Sequence, residues 1–181
     1  FFQAWSYFYL EQWPEMASLI KEALALAEKN DQIHWITHFQ LQQAWLLIHT
    51  HDYQQAALLV EPIYQQYQAT PFKTSAYFFS LIILIHLKTK QAEFNQAQTY
   101  IHEINTYLLA DTQAIDWILK LPLYQGIDEF YLQTKQIELA LAAAQQLDAL
   151  AQQSQETSYI QLAKHLSTAC LQALGKTTAI I

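Results

Sequence analysis

The segment HWITH places two histidines, His34 and His38, at a spacing that could hold a metal ion. Residues four apart lie on the same face of a helix, so the two imidazoles could chelate one ion together. In the zinc-protease motif HExxH a glutamate follows the first histidine, but here Trp35 takes that place, and the sequence indicates no third ligand. A metal-dependent enzyme that uses His34 and His38 therefore ranks third among our functional hypotheses.

Motifs for other kinds of catalysis do not occur in the sequence. It contains no G-x-S-x-G, no Gly-rich phosphate loop and no Cys-x-x-Cys. The segment His49-Thr50-His51 falls at a predicted turn, where solvated side chains are expected more often than metal ligands. Asp128 and Glu129 are neighbours in sequence but not on one helical face, so they make a poor acid and base pair. We predict a non-enzymatic protein without a cofactor.

The composition favours long helices and disfavours nucleic-acid binding. Just over half of the 181 residues are apolar, 14% are charged, and there are two glycines and four prolines. The net charge is -7, with nine lysines and no arginine, although arginine and lysine are the residues that hold a phosphate backbone. The single cysteine, Cys170, has apolar neighbours and is predicted to be a buried, reduced thiol.

The longest apolar run, Ala76 to Leu87, predicts a core helix and not a membrane span. Ser80 and His86 interrupt it, and it is shorter than the roughly 20 residues that a membrane helix needs. Because Phe1 already lies in a predicted helix and no initiator methionine precedes it, we expect a fragment of a longer, cytoplasmic protein.

A repeated pair of helices organises the chain, and Phe39 to Val60 shows it best. A helix leads to a turn at His51-Asp52, and Asp52 with Gln55 can cap the next helix. After this turn and three others, a bulky residue is followed three positions later by a small or flexible one. The bulky residues stand 40, 41 and 43 residues apart. They are Trp13 (before Met16 and Ala17), Tyr53 (before Ala56), Phe94 (before Ala97) and Ile137 (before Ala140).

This pattern predicts nine helices. They cover about residues 1–11, 14–28, 32–49, 53–68, 71–88, 92–109, 112–133, 136–153 and 157–174. Thr70-Pro71 and Asp111-Thr112 are predicted to start the fifth and seventh helices. A kink or break is expected between Pro122 and Gly126. Gly175 is expected to end the last helix.

A fixed period of this length is typical of solenoids, in which stacking of units buries the apolar faces. The chain resembles the tetratricopeptide repeat (TPR) superfamily, in the long-repeat style of MalT-like bacterial transcription regulators; Phe130 to Gly175 matches that style best. The resemblance implies a single all-α domain over residues 1–181, a right-handed α-solenoid of about nine antiparallel helices. Its units cover about residues 1–30, 31–70, 71–110, 111–154 and a partial 155–181.

The resemblance also implies that the first helix of each unit lines a concave groove. On the helix from Gln32 to His49, one stripe carries three histidines and a tryptophan, and shifts of one repeat place aromatic residues beside it. The predicted groove residues are Trp5, Tyr9, His34, His38, Leu41, Trp45, His49, Phe79, His86 and Glu129. Such a surface suits a protein or peptide segment, or a small organic ligand. The alternative is that these aromatic residues belong to the core of a helix array.

Two binding hypotheses precede the metal-dependent enzyme. In the first, implied by the resemblance, the chain is the sensor or self-association region of a bacterial transcription regulator, with the DNA-binding part elsewhere. In the second, it is a free-standing adaptor that scaffolds a protein complex. Neither requires a membrane or direct nucleic-acid contact, and the first allows a homo-oligomer. The full open reading frame would distinguish them.

Overall fold

A computed structural model of the protein describes residues 2–10, 12–111 and 114–175, without the side chains of Phe2 and Tyr9. These ranges contain helices and no strand, which confirms the predicted all-α class. Their nine helices are α1 (Phe2–Tyr9), α2 (Trp13–Lys29), α3 (Ile33–His49), α4 (Tyr53–Gln68), α5 (Ser75–Lys90), α6 (Phe94–Ala110), α7 (Trp117–Gln133), α8 (Ile137–Ser154) and α9 (Thr157–Ala173).

The repeated bulky residues mark the starts of alternate helices. Trp13, Tyr53, Phe94 and Ile137 are the first residues of α2, α4, α6 and α8. The residue three positions after each of them is at most 1% exposed. These buried residues are Met16, Ala56, Ala97 and Ala140. The predicted period therefore corresponds to a structural repeat, in which the second helix of each pair begins with a bulky residue followed three positions later by a buried one.

Among the links that the structure describes in full, five use the same backbone turn. Each has one residue with a φ between 52° and 65°, namely Asp31, His51, Ala92, Lys135 and Gln155. After each of these residues, the next backbone N–H donates to the carbonyl five residues before it, as from Asp52 to Leu47 at 2.8 Å and from Gln136 to Tyr131 at 2.8 Å. This is the Schellman arrangement, which satisfies the last carbonyls of a helix and reverses the chain within two residues.

Two links depart from this turn, and they account for two wrong helix starts. We predicted that the fifth helix would begin at Thr70-Pro71, but α5 begins at Ser75. The Thr70 hydroxyl donates to the carbonyls of Tyr67 and Phe72 and so caps no helix N-terminus. Lys73 donates to the carbonyls of Gln68 and Thr70 at 2.6 and 2.9 Å. A lysine therefore satisfies the end of α4 and keeps the chain irregular for several residues.

The seventh helix also begins later than predicted. Asp111, expected to cap it, is instead the C-terminal cap of α6 in an extended conformation, and Asp116 precedes α7 at Trp117. Thr112 lies outside the described residues. We expected a kink or a break between Pro122 and Gly126. There is no break, because α7 is one helix from Trp117 to Gln133, and the kink remains a prediction.

Two predicted helix caps are confirmed. Asp52 accepts a hydrogen bond from the backbone N–H of Gln55 at 3.2 Å, as expected for an N-cap. Gly175 follows α9 with a φ of 66°, as expected for a C-terminal glycine.

The chain divides into two compact units, Phe1–Leu87 and Lys88–Ile181, with the boundary inside α5. The helix α5 is buried at every position from Ala76 to Thr89, so the apolar run is a core helix, as predicted. Across residues 2–10, 12–111 and 114–175, no helix combines the length and hydropathy needed to cross a bilayer. The single-domain organisation and the solenoid geometry remain predictions.

Candidate functional site

Most of the predicted groove residues are buried in the first unit. Six have side chains no more than 6% exposed: Trp5, His38, Leu41, Trp45, Phe79 and His86. His49 is half-buried and His34 is exposed, whereas the side chain of Tyr9 lies outside the described atoms. Glu129 belongs to the second unit. The alternative interpretation, in which these aromatic residues belong to the core, accounts for this burial. The role of the ten residues in a groove remains a prediction.

The buried aromatic rings of the first unit contact one another across three helices. Trp45 on α3 meets the edge of His86 at 4.7 Å between ring centroids, and Phe79 lies 6.1 Å away. Trp5 on α1 lies 5.5 Å from Phe79, and Phe8 lies 5.7 Å from Trp45. Such pairs contribute about 0.5–1.5 kcal/mol each beyond the burial of their area. The stripe predicted on α3 is therefore one wall of an aromatic core.

His49 is the member of this cluster that reaches the surface. Its ring stacks on Trp13, with centroids 5.2 Å apart and planes 16° from parallel, and meets the edge of Phe8 at 5.0 Å. Trp45 lies on a third side at 5.5 Å. Three aromatic neighbours hold the imidazole in one orientation, so His49 has a structural role at the end of α3.

The histidine pair of the HWITH segment is close in space, as its spacing predicted. The rings of His34 and His38 lie 4.5 Å apart, and Nε2 of His38 is 3.3 Å from the hydroxyl of Ser75. Burial, and secondarily the nearby His34, lowers the pKa of His38 from 6.5 to about 4. His38 is thus a neutral imidazole at pH 7. In the part of the chain that the structure describes, no three His, Cys, Asp or Glu side chains gather as metal ligands.

A cavity of about 510 Å³ opens on the first unit between the end of α2 and the start of α3. Trp35 and Phe39 form one wall, with ring centroids 6.1 Å apart and planes 30° from parallel. The side chain of Trp35 is 42% exposed and that of Leu26 is 62% exposed. The remaining lining residues are Ala23, Ala27, Asn30 and Gln32. This cavity is lined by apolar and amide groups and has a volume typical of ligand sites.

This cavity was not predicted from the sequence. Residues four apart share a face of a helix, so the positions of Trp35 and Phe39 agree with their contact, but spacing does not show that Trp35 is exposed. The available signal was position, because Trp35 is in the first turn of α3, directly after the Asp31 turn, where no preceding turn of the same helix covers it. Its exposed neighbour Ile33, at 72%, has the same position at the helix start.

Glu129, the predicted groove residue of the second unit, is already engaged in an ion pair. Its carboxylate lies 2.8 Å from Nζ of Lys90 and accepts a hydrogen bond from the amide of Gln125 at 3.2 Å. The adjacent Asp128 is fully buried, whereas Glu129 remains partly exposed. The two carboxyl groups thus have different surroundings, although they are neighbours in sequence.

Two further cavities have charged residues at their edges. One, of about 490 Å³, lies between α2 and α3 and includes Lys21 and Glu28. The other, of about 520 Å³, lies in the second unit and includes Lys120 and Tyr124. The Trp35 cavity differs from both because its described lining contains no charged side chain.

Comparisons with protein-family models, curated proteins and solved structures gave no match for this chain.

Proposed function

We propose that this chain is a non-enzymatic binding module of helical repeats that holds a neutral, apolar segment of a partner protein in the Trp35 cavity. The main observation that supports this proposal is the half-exposed indole of Trp35 in the wall of that cavity. Tryptophan is enriched among the residues that dominate binding energies, because one large rigid side chain removes much apolar area from water.

The chemistry of the lining favours binding over catalysis. Its polar members are Asn30 and Gln32, whose side chains donate to the backbone carbonyls of Leu26 and Asn30 at 2.7 and 3.2 Å. Neither residue is an acid, a base or a nucleophile at neutral pH. The lining therefore provides apolar area and hydrogen-bonding groups and no means of proton transfer. A charged occupant would lose hydration without gaining a partner, so a neutral apolar segment fits best.

The wider role that we propose follows the resemblance to TPR proteins. The repeated turns at His51, Ala92 and Lys135, 41 and 43 residues apart, support a long-repeat TPR-like solenoid. By that resemblance, the module would be the sensor or self-association region of a cytoplasmic bacterial transcription regulator. A free-standing adaptor remains the second candidate, and the open reading frame that contains this segment distinguishes the two.

The test compares two tryptophans of similar exposure. Trp35→Ala removes the cavity wall, whereas Trp117→Ala removes a 50% exposed indole from the start of α7. The probes are Nile red, a neutral apolar dye, and a set of synthetic amphipathic helical peptides without charged residues. We expect Trp35→Ala to weaken binding about tenfold or more, as for a residue that dominates an interface.

The control variant Trp117→Ala should bind both probes like the wild type. Circular dichroism should show unchanged helicity for both variants, since each residue is about half exposed. If the two variants lose binding equally, or if neither loses any, the Trp35 cavity is not the binding site.

A further inference from the structure

The second unit contains a buried carboxyl group with few polar contacts. Asp128 on α7 is 0% exposed, and its Oδ2 atom has no hydrogen-bond partner within the described part of the chain. Its Oδ1 atom accepts from the thiol of Cys170 on α9 at 3.7 Å. A thiol is a weak donor, so this contact compensates little of the hydration that an ionised carboxylate would lose.

Among residues 2–10, 12–111 and 114–175, no cation forms an ion pair with Asp128 that would compensate for its charge. The other ionisable group that acts on it from its own helix is Glu129, whose charge is of the same sign and is paired with Lys90 on α5. On α9 the ionisable group that acts on Asp128 is Cys170. Tyr159 is the other ionisable side chain buried on that helix. The buried face of α8 carries alanine and leucine only: Ala140, Ala143, Ala144, Leu147 and Ala151.

We propose that Asp128 is a proton-operated latch, which holds α9 against α7 while the carboxyl is protonated and loosens α9 when it ionises. The protonated acid is neutral and is compatible with an apolar interior. The carboxylate must regain water or a counter-ion, and the described surroundings provide neither. Separation of α9 from α7 admits water at the Cys170 side of the carboxyl.

The titration range of this latch is near neutral pH. Burial raises the pKa of Asp128 from 3.8 to about 7, Cys170 opposes this as a hydrogen-bond donor, and the charge of Glu129 adds to it. Burial, followed by the charge of Asp128, raises the pKa of Cys170 to about 11, so the thiol remains a donor. Because the folded pKa of Asp128 exceeds the unfolded one, closure is most favourable below pH 3.8 and weakens as the pH rises toward 7.

Cys170 is a built-in reporter of the latch. It is the single cysteine of the chain and is 0% exposed, so a thiol reagent reaches it when α9 separates from α7. The experiment measures alkylation of Cys170 by iodoacetamide from pH 4 to pH 9. Each rate is divided by that of the urea-unfolded protein at the same pH, which removes the ordinary pH dependence of the thiolate.

The comparison is between the wild type and Asp128→Asn, an isosteric variant without a titratable group. In the wild type, the normalised rate should rise by up to tenfold per pH unit between about pH 4 and pH 7 and then level off. In Asp128→Asn the increase of the normalised alkylation rate per pH unit should be smaller by the same factor. The slope is the criterion, since the amide also changes the absolute stability. Equal slopes in the two proteins would overturn the latch.

A second measurement decides the question if Asp128→Asn does not fold. The carboxyl carbon of Asp128 is followed by ¹³C NMR in the wild type. A midpoint near pH 7, accompanied by changes in the amide signals of α9, supports the proposal. A midpoint below pH 5 or above pH 9, or a titration that leaves α9 unchanged, contradicts it.

Discussion

The two compact units have the same kind of turn and repeat but fill their interiors differently. In the first unit the interior contains large rings, among them Trp5, Phe8, Trp45 and Phe79. In the second, the buried face of α8 is mainly small: Ala140, Ala143, Ala144 and Ala151, with Leu147. Helix pairs pack at distances that depend on the contacting side chains, so one backbone repeat accommodates both fillings. The turn sets the repeat, and the choice of large or small residues sets the interior.

His38 in the first unit and Asp128 in the second are buried ionisable side chains that respond to pH in opposite directions. Burial lowers the pKa of His38 in the first unit to about 4 and raises the pKa of Asp128 in the second to about 7. The neutral form is favoured in both cases. Stability from His38 is complete above pH 6.5 and is lost as the pH falls toward 4, whereas stability from Asp128 is lost as the pH rises toward 7.

The largest effect is expected from removal of the central indole of the first unit. Trp45→Ala should lower the free energy of unfolding by about 3–5 kcal/mol, because the side chain is 1% exposed and its removal leaves a cavity among four rings. Urea unfolding followed by circular dichroism measures the change.

The matched control is Trp117→Ala in the second unit. Its indole is half exposed, so the loss should be within about 0.5 kcal/mol. If Trp45→Ala instead retained full stability and lost binding, Trp45 would belong to a ligand groove, as predicted from the sequence.

A smaller effect, which sharpens the contrast in pH response, is expected at His38. Between pH 6.5 and pH 4 the wild type should lose about 1–3 kcal/mol of unfolding free energy through this residue, since one pKa unit corresponds to about 1.4 kcal/mol. His38→Gln retains a hydrogen-bonding group for Ser75 and removes the titration, so its stability should vary less with pH.

Tryptophan fluorescence during urea unfolding measures this difference, because four of the five tryptophans lie in the first unit. His165→Gln, which changes an exposed histidine in the second unit, is the control and should leave the wild-type pH dependence intact. A steeper loss in acid for His38→Gln than for the wild type would contradict the assignment.

The smallest effect is expected at the left-handed turn, a turn that occurs in both units. Ala92 has a φ of 59°, a conformation in which its Cβ is strained and glycine is not. Ala92→Gly should raise the free energy of unfolding by about 0.5–1 kcal/mol, after the entropy that glycine adds to the unfolded chain is counted. Thermal unfolding by calorimetry is the measurement.

The same substitution within a helix should have the opposite sign. Ala149→Gly, at an exposed position of α8, should cost about 1 kcal/mol. If both substitutions destabilised the protein to the same degree, the left-handed turn at Ala92 would not be the element that terminates α5.

The extent of the helices could largely be predicted from the sequence because its signals are local. The bulky residue and the small residue three positions later located the starts of α2, α4, α6 and α8, and Asp52 capped α4 as expected. The two wrong starts, at Thr70 and Asp111, have a common cause. Both residues are good N-caps by type, but in the structure they belong to the ends of the preceding helices, where carbonyls must also be satisfied.

The candidate site was less predictable because exposure depends on what packs against a side chain. The α3 stripe correctly grouped His34 with His38 and Trp45 with His49, since neighbours on a helix follow from spacing alone. The same spacing could not show that Phe8, Phe79 and His86 from other helices would cover Trp45. It also could not show that Trp35 would remain exposed.

The sequence by itself determined the all-helical class, the repeat of about 40 residues, the buried cysteine and the weakness of any metal motif. These properties depend on residue type and on spacing along one helix. Tertiary structure alone decided that Trp45 is buried while Trp35 is exposed. It likewise decided that Asp128 is fully buried and meets Cys170, 42 residues later in the chain. Burial and pKa depend on the groups that distant segments bring into contact, and no local pattern encodes them.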